Sequence, residues 1–427
     1  MWSGKDMIHD LGVNVAGYVK GEFGLAEIVR SNIRAIQAVN LPFVINNIGA
    51  DPYNCHRYLD PSYDEQHFSQ DNPYPINLIN LNAEHVPLVT ERLGSQYFQN
   101  RYNIGVWIWE LPQFPPEWQF LFDFFDEIWT PSNHSAEPIS AVSPIPVMKV
   151  SLNLDLPRPT LDRETVGFPK DKFVFLFMFD ALSTFERKNP SAIVEAFIQA
   201  FGKSNPDVLL VIKFSNSQHY PQQRDQFKAL IQDCPSIRLI EGHLMKEHVN
   251  ALIYNCDCYI SLHRAEGFGL TMAEAMFYGK PVIATGYSSN IEFMNIGNSF
   301  LVKYDLITTT EDQGPYKKGN IWANPDIAHA SSLMHYVFHN YEQAQHVGLR
   351  AAYEIRSILS PSRIGQKIKS RLEYLFSKKL NSKPLFDRSN SMQSVYELQL
   401  QAWKKTAESL HLELECMRSQ LNQLNHK

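Results

Sequence analysis

The sequence of 427 residues contains no stretch of about 20 consecutive apolar residues, the length a helix needs to span a bilayer. Its first residues, MWSGKDMIHDLG, lack the charged-then-apolar pattern of a signal peptide, so a cytoplasmic protein is expected. Peripheral attachment at the inner face of a membrane stays open, because it requires only an amphipathic or basic surface. Cations are in deficit. Lys and Arg total 39 against 45 Asp and Glu, a formal charge of −6, which argues against a chain that coats nucleic acid. Cysteine is scarce, with five residues scattered at Cys55, Cys234, Cys256, Cys258 and Cys416. The one close pair, Cys256 and Cys258, has strand spacing in NCDCYISL and too few other ligands nearby for a metal, so inert core thiols are expected. No metal-ligand cluster is apparent elsewhere, and neither a metal nor another cofactor is expected. A clean G-x-G-x-x-G is also missing, which weighs against a dinucleotide-dependent oxidoreductase.

What is present is an ordinary globular composition, 44% apolar, 12% aromatic and 20% charged, over a length that exceeds one hydrophobic core. Short apolar runs alternate with helical patterns. GVNVAGYV (12–19), PFVINNI (42–48), PINLINL (75–81), NIGVWIW (103–109) and DEIWTPS (126–132) read as strands, and GLAEIVRSNIRAIQAV after the first of them has helical spacing. Prolines and charges interrupt the pattern around 152–172 and mark a linker. The alternation then restarts with KFVFLFMF, DVLLVIKF, SIRLIEG, CDCYISL and KPVIAT as five strands. Two doubly wound α/β domains in series, with mostly parallel sheets, are the simplest account.

Residues 326–379 read as helical, and SPSRIGQKIKSRLEYLF opens with a Ser-Pro helix start. The expected domains are 1–155, completed by a returning helix at 360–378, and 165–358. A tail at 390–427 follows, in which Tyr396, Leu400, Trp403, Ala407, Leu410, Leu414, Met417, Leu421 and Leu424 alternate at four and three residues. That heptad seam suits self-association through 396–424 as a coiled coil, a single helix packed on the body, or a helix that docks another protein.

Residues 261–286, SLHRAEGFGLTMAEAMFYGKPVIATG, run from a buried strand through a glycine-containing turn into a helix and a further strand. Gly267 and Gly269 let backbone approach a ligand closely, and the helix start near Leu270 and Thr271 presents free N–H groups suited to phosphate oxygens. Glu266 and Glu274, eight residues apart, reach the rim of one crevice, where ligands of open α/β sheets bind. Carboxylates facing neutral hydroxyls accept two hydrogen bonds at once, which suits sugar or ribose diols. The plain alternative is a helix-start carboxylate at Glu274 and a surface residue at Glu266.

The segment resembles the Glu-x7-Glu signature of glycosyltransferase family 4, with its EGFGL turn, the EAM that opens the helix, and GKPVIAT as the next strand. That resemblance implies the GT-B fold, two Rossmann-like domains facing a cleft. It places Glu266 beside a donor sugar, Glu274 on the nucleotide ribose, and Gly267, Phe268, Gly269, Leu270 and Thr271 along the diphosphate. In FMFDALSTFERKNPSAIVEAF, Lys188 matches the family's lysine for the leaving diphosphate, whereas Ser183 stands where its arginine is expected and Arg187 sits beside Lys188. AGYVKGEFGLAE (16–27) resembles the family's glycine-rich loop, which assigns Gly21 and Gly24 to the donor phosphates. The segment 287–294, YSSNIEFM, resembles its small-residue loop.

In GVWIWELPQFPPEW (105–118), Glu110 stands near the strand end where many family members carry an acceptor-side histidine, so Glu110 becomes the candidate acceptor-hydroxyl contact or base. Trp107 and Trp109 fit either core packing or sugar stacking. His85, His134 and His263 fit satisfied structural positions, with His263 the best placed for more. By resemblance, a sugar would pass with retention from a nucleoside-diphosphate-sugar to a glycan or glycolipid hydroxyl, with Glu266, Glu110 and Lys188 as the catalytic set. A catalytically silent scaffold of the same fold and a sugar-nucleotide epimerase remain the alternatives.

Overall fold

The computed structural model describes residues 11–50 and 57–380. Its first sheet holds β1 (Val13–Gly17), β2 (Phe43–Asn47), β3 (Ile76–Asn80), β4 (Tyr102–Val106), β5 (Glu127–Thr130) and β6 (Val147–Lys149). These strands are all parallel, in the order β2-β1-β3-β4-β5-β6. Helices α1 (Gly24–Gln37), α2 (Val86–Leu93) and α3 (Asn133–Ser140) connect them, together with short 3-10 segments. A row of buried amides crosses the sheet: Asn14 donates to Asn77 at 2.9 Å and Asn77 to Asn103 at 2.8 Å, across β1, β3 and β4. Asn103 ends the row on the Phe98 carbonyl, so each of these buried amides is hydrogen-bonded.

The second sheet repeats the plan with β7 (Phe173–Asp180), β8 (Val208–Ser215), β9 (Ile237–Glu241), β10 (Cys258–Ser261), β11 (Val282–Thr285) and β12 (Phe300–Val302), all parallel in the order β12-β11-β10-β7-β8-β9. Its helices are α4 (Phe185–Lys188), α5 (Pro190–Phe201), α6 (Pro221–Ile231), α7 (Lys246–Asn255), α8 (Leu270–Phe277), α9 (Ile327–His339) and α10 (Tyr341–Ile358). The continuous apolar run of β7 reflects burial on both faces. An antiparallel hairpin of β13 (Tyr304–Thr308) and β14 (Ile321–Pro325), for which the sequence reading made no provision, follows β12. This is the GT-B arrangement of two Rossmann-like sheets.

The chain returns to the first sheet through α11 (Pro361–Leu375), capped by the Ser360 side chain with Pro361 in its first turn. Ile364, Ile368, Leu372 and Leu375 are its buried residues, and its backbone lies so close to α1 that a Cβ on Gly365 would sit 2.1 Å from the Ala35 carbonyl oxygen. Arg371 fixes the contact through the fully buried Glu127 carboxylate on β5, at 2.5 and 3.1 Å.

The strand β4 stops short of its sequence pattern in a way that shapes the site. NIGVWIW was read as strand to residue 109, but β4 ends at Val106. Side chains take over the hydrogen bonds there: Asn82 accepts the Ile108 N–H at 2.8 Å and Ser135 the Trp109 N–H at 3.3 Å. Trp107 and Trp109 are buried among Phe114, Trp118, Phe122 and Phe125, which decides for core packing. Cys256 and Cys258 are free and buried, and burial pushes the Cys256 thiol up to about 12. Among the described residues no helix is long and apolar enough to cross a membrane, and no three His, Cys, Asp or Glu residues gather to hold a metal. The heptad seam at 396–424 lies outside the described residues, as do Cys55 and Cys416.

Candidate active site in the cleft between the two sheets

Strand order reverses between β7 and β10 in the second sheet and between β1 and β3 in the first. A crevice opens at the carboxyl ends of strands on either side of such a reversal, and ligands of open α/β sheets bind there. The segments leaving β7 and β10 carry Lys188 and Glu266, and those leaving β1 and β3 carry residues 18–23 and 81–85.

Lys188 and Glu266 form a short ion pair, with the Arg187 guanidinium 3.6 Å from the same Glu266 oxygen. Burial alone would raise the Glu266 carboxyl, but Lys188 and Arg187 more than offset it and hold it down to about 2, so Glu266 is an anion at neutral pH. Burial draws Lys188 below the ordinary lysine range. Glu266 lies five residues beyond the end of β10, not at the strand end. Residues 288–290 hold it from behind: its N–H donates to Ser288 Oγ at 2.9 Å, and its carbonyl accepts from Ser289 Oγ at 2.6 Å. Ser288 takes φ +74° to do so.

Arg187 is buried at 4% exposure and donates from Nη1 to the Ala265 carbonyl at 2.9 Å. Its other acidic neighbour, Glu110, lies at 3.7 Å, beyond hydrogen-bonding distance, and the Arg187 Nε has no partner among the described residues. A guanidinium offers five N–H donors, and this one keeps most of them uncommitted. Burial opposes its charge, but Tyr316, Glu110 and Glu266 together outweigh that and keep it above the ordinary arginine range.

Glu274, on the second turn of α8, lies at the other end of the crevice. It is 7% exposed, and among the described residues no hydrogen bond or ion pair engages its carboxylate. Burial pushes its carboxyl up to about 7, with Lys246 and Arg34 opposing and Glu27 adding to the shift. These neighbours bridge the two sheets: Glu27 on α1 pairs with Arg30 and Arg34 at 2.9 and 2.8 Å and with Lys246 of α7 at 2.5 Å. Tyr259, buried on β10, feels both Glu266 and Glu274 and has its hydroxyl beside Thr271.

The turn between the glutamates is docked on the opposite sheet. Ser132 donates to the Gly267 carbonyl at 2.8 Å, and a Cβ on Gly267 would fall 2.1 Å from Ile108 Cγ2. Gly269 takes φ +90°, the left-handed conformation that lets α8 begin at Leu270, and Phe268 packs on Phe293. Gly267→Ala is therefore expected to lower the thermal midpoint, by about 1–3 kcal/mol of overpacking, and Ile108→Ala in the same chain to restore most of it. Additive effects of the two substitutions would remove the steric contact as the reason for this glycine.

Gly24 starts α1, whose N-cap Phe23 offers no side-chain hydrogen bond. The Gly21 carbonyl accepts from Arg30 at 2.7 Å, which stiffens the loop before the helix. Glu110 accepts from Tyr316 at 3.0 Å. All three histidines are engaged: buried His263 with Ser261 and Asn290, His134 with the Glu110 carbonyl at 2.7 Å, and His85 with the Tyr18 hydroxyl at 2.7 Å. The structure thus gathers Arg187, Lys188, Glu266 and Glu110 at one end of the cleft and Glu274 at the other. It adds Tyr316, Glu27 and Lys246, which sequence reading missed, and Lys213 on β8, which burial draws below the ordinary lysine range with Asp180 and Glu22 opposing. Glu27, Arg30 and Arg34 at helical spacing were a readable signal. Lys213 sits within a strand and Tyr316 in a polar turn, and neither had a local signal.

No curated protein sequence matches this chain. Several solved structures share its fold, among them the three that follow. HepE from Anabaena, in complex with UDP and glucose, is 15% identical at a TM-score of 0.59, over 86% of this chain and 100% of that one. Sucrose-phosphate synthase from Thermosynechococcus elongatus is 15% identical at 0.62 over the same shares, 86% and 100%. A glycosyltransferase from Rickettsia africae ESF-5 is 13% identical at 0.58, over 86% and 98%. Residues 160–305, the segment that carries Arg187, Lys188, Glu266 and Glu274, match the family model described as glycosyl transferases group 1.

Proposed function

We propose that this chain is a retaining glycosyltransferase of the family 4 type, which moves a sugar from a nucleoside-diphosphate-sugar to a hydroxyl of a glycan or glycolipid. The observation that carries the reading is Glu274, a nearly buried carboxylate that no described residue engages by a hydrogen bond or ion pair, at a strand-order reversal. A carboxylate so placed destabilises the empty protein unless a ligand supplies donors. A ribose diol supplies two. HepE, which shares the fold, holds UDP and glucose in its own structure, while the assignment here rests on this chain's residues.

Lys188 and Arg187 meet the negative charge that develops on the diphosphate as the glycosidic bond breaks, a task for preorganised cations that calls on no metal. Glu266 lies beside the donor sugar, and the turn from Gly267 to Thr271 follows the diphosphate, with Gly21 and Gly24 facing it from the first sheet. Glu110 contacts the attacking hydroxyl. The electron pair of the broken bond goes to the diphosphate, and the acceptor oxygen bonds the anomeric carbon from the same face while its proton passes to the departing diphosphate oxygen. A glycolipid acceptor fits work at the cytoplasmic face of a membrane, and the segment 396–424 is assigned to self-association.

Purified protein screened by thermal shift against UDP-, GDP-, ADP- and dTDP-sugars is expected to respond to one nucleotide, because binding to the native state raises stability by mass action. The shift should vanish in Glu274→Ala. Silence with every nucleotide sugar would favour the scaffold reading, which the Ser183 position motivates.

A further inference from the structure

The hairpin β13–β14 departs from the strand-helix alternation of the second sheet and is inverted in burial. Residues 304–308 of β13 are exposed throughout, yet Tyr316, in the connection between the strands, is 5% exposed. Connections normally lie at the surface. This one turns inward: Tyr316 donates its hydroxyl to Glu110 Oε2 at 3.0 Å, its ring lies 5.6 Å from the Arg187 guanidinium, and Trp109 packs against it at 5.4 Å. The hairpin also hangs from the site. Arg264, two residues before Glu266, accepts the Ala323 N–H at 2.9 Å and covers the Trp322 ring, while its own N–H donates to the Arg187 carbonyl at 2.8 Å.

Glu110 is therefore divided between two neighbours. One oxygen is held by Tyr316, and the other stands 3.7 Å from Arg187 Nη2. A carboxylate free to rotate beside a guanidinium closes a two-point, fork-to-fork pair. Such a pair would consume the donors that Arg187 keeps uncommitted.

We propose that Tyr316 is a positioning residue: its hydroxyl holds Glu110 back from a two-point pair with Arg187, and so keeps the guanidinium available to a diphosphate. The inference rests on the reading of this cleft as a nucleoside-diphosphate site. Burial, with Glu110 adding to it, keeps the Tyr316 phenol well above its ordinary range, so the hydroxyl remains a donor.

Calorimetric titration with inorganic pyrophosphate, and with UDP, GDP and ADP, tests it on the full chain. Tyr316→Phe keeps the ring and its packing and removes only the hydroxyl. It is expected to weaken pyrophosphate binding about tenfold, the scale of one hydrogen bond to a charged group. Glu110→Gln placed in the same chain removes the competing charge and should return the affinity to within about threefold of Glu110→Gln alone. A merely structural tyrosine would not be rescued in this way. Wild-type affinity in Tyr316→Phe, or equal weakness with and without Glu110→Gln, overturns the inference and leaves the donor site standing. A wild-type chain that binds neither pyrophosphate nor any of the nucleotides overturns both.

Discussion

Nucleotide binding is expected to weaken about tenfold for each pH unit below 7, reaching roughly a hundredfold at pH 5. Only the ionised form of Glu274 accepts two hydroxyl donors, and burial pushes its carboxyl up to about 7 in the empty protein. Binding below that pH must therefore release a proton, which calorimetry reads as a dependence on buffer ionisation enthalpy. Glu274→Gln should bind weakly at every pH without that dependence. The empty protein carries the complementary signature. A carboxyl raised from 4.5 to about 7 contributes stability that is fully present below pH 4.5 and is lost as pH rises through 7. Glu274→Gln should thus gain thermal stability over the wild type above pH 7 and lose that advantage near pH 4. A wild-type affinity that stays flat between pH 5 and 8 would remove Glu274 as the ribose acceptor.

Turnover in Lys188→Ala is expected to fall by about a hundredfold to a thousandfold, the scale of deleting one preorganised charge that faces a developing anion. Donor hydrolysis, followed as released nucleoside diphosphate, measures this without knowledge of the acceptor. Stability should fall as well, because Glu266 loses the partner that, with Arg187, holds its carboxyl at about 2. That stabilisation is present above the ordinary carboxyl range and is lost as pH falls through 2, so the deficit of Lys188→Ala should be full at neutral pH and shrink in acid. The double change Lys188→Ala with Glu266→Gln separates the two effects: it should recover thermal stability but not turnover. Recovery of turnover would make Lys188 a neutraliser of Glu266 rather than of the diphosphate.

Much of this architecture was legible residue by residue. β7 and β8 read as buried strands because both faces are covered, which leaves an unbroken apolar run. The start of α11 was visible in Ser360 and Pro361, a cap and a fixed φ that act locally. Lys188 and Glu266 were singled out separately, and the structure joins them although they stand 78 positions apart. The end of β4 was misread because alternation of Val106, Trp107, Ile108 and Trp109 looks like strand whether or not the ladder continues. What stops it are hydrogen bonds that the Ile108 and Trp109 N–H groups donate to the side chains of Asn82 and Ser135, residues 26 positions away on either side.

The sequence alone determined the two strand-helix series, the turn at Gly267 and Gly269 and the spacing of Glu266 and Glu274, because periodicity, backbone freedom and helix starts depend on neighbours along the chain. Only the tertiary structure decided which charges share the cleft. Lys246 meets Glu27 across 219 residues, and Tyr316 meets Glu110 across 206. Contacts between two separately folded sheets leave no mark in local pattern, since either partner by itself reads as an ordinary surface residue. Burial then fixes their chemistry: the same residue type stands at about 2 at position 266, where cations surround it, and at about 7 at position 274, where no described residue engages it by a hydrogen bond or ion pair.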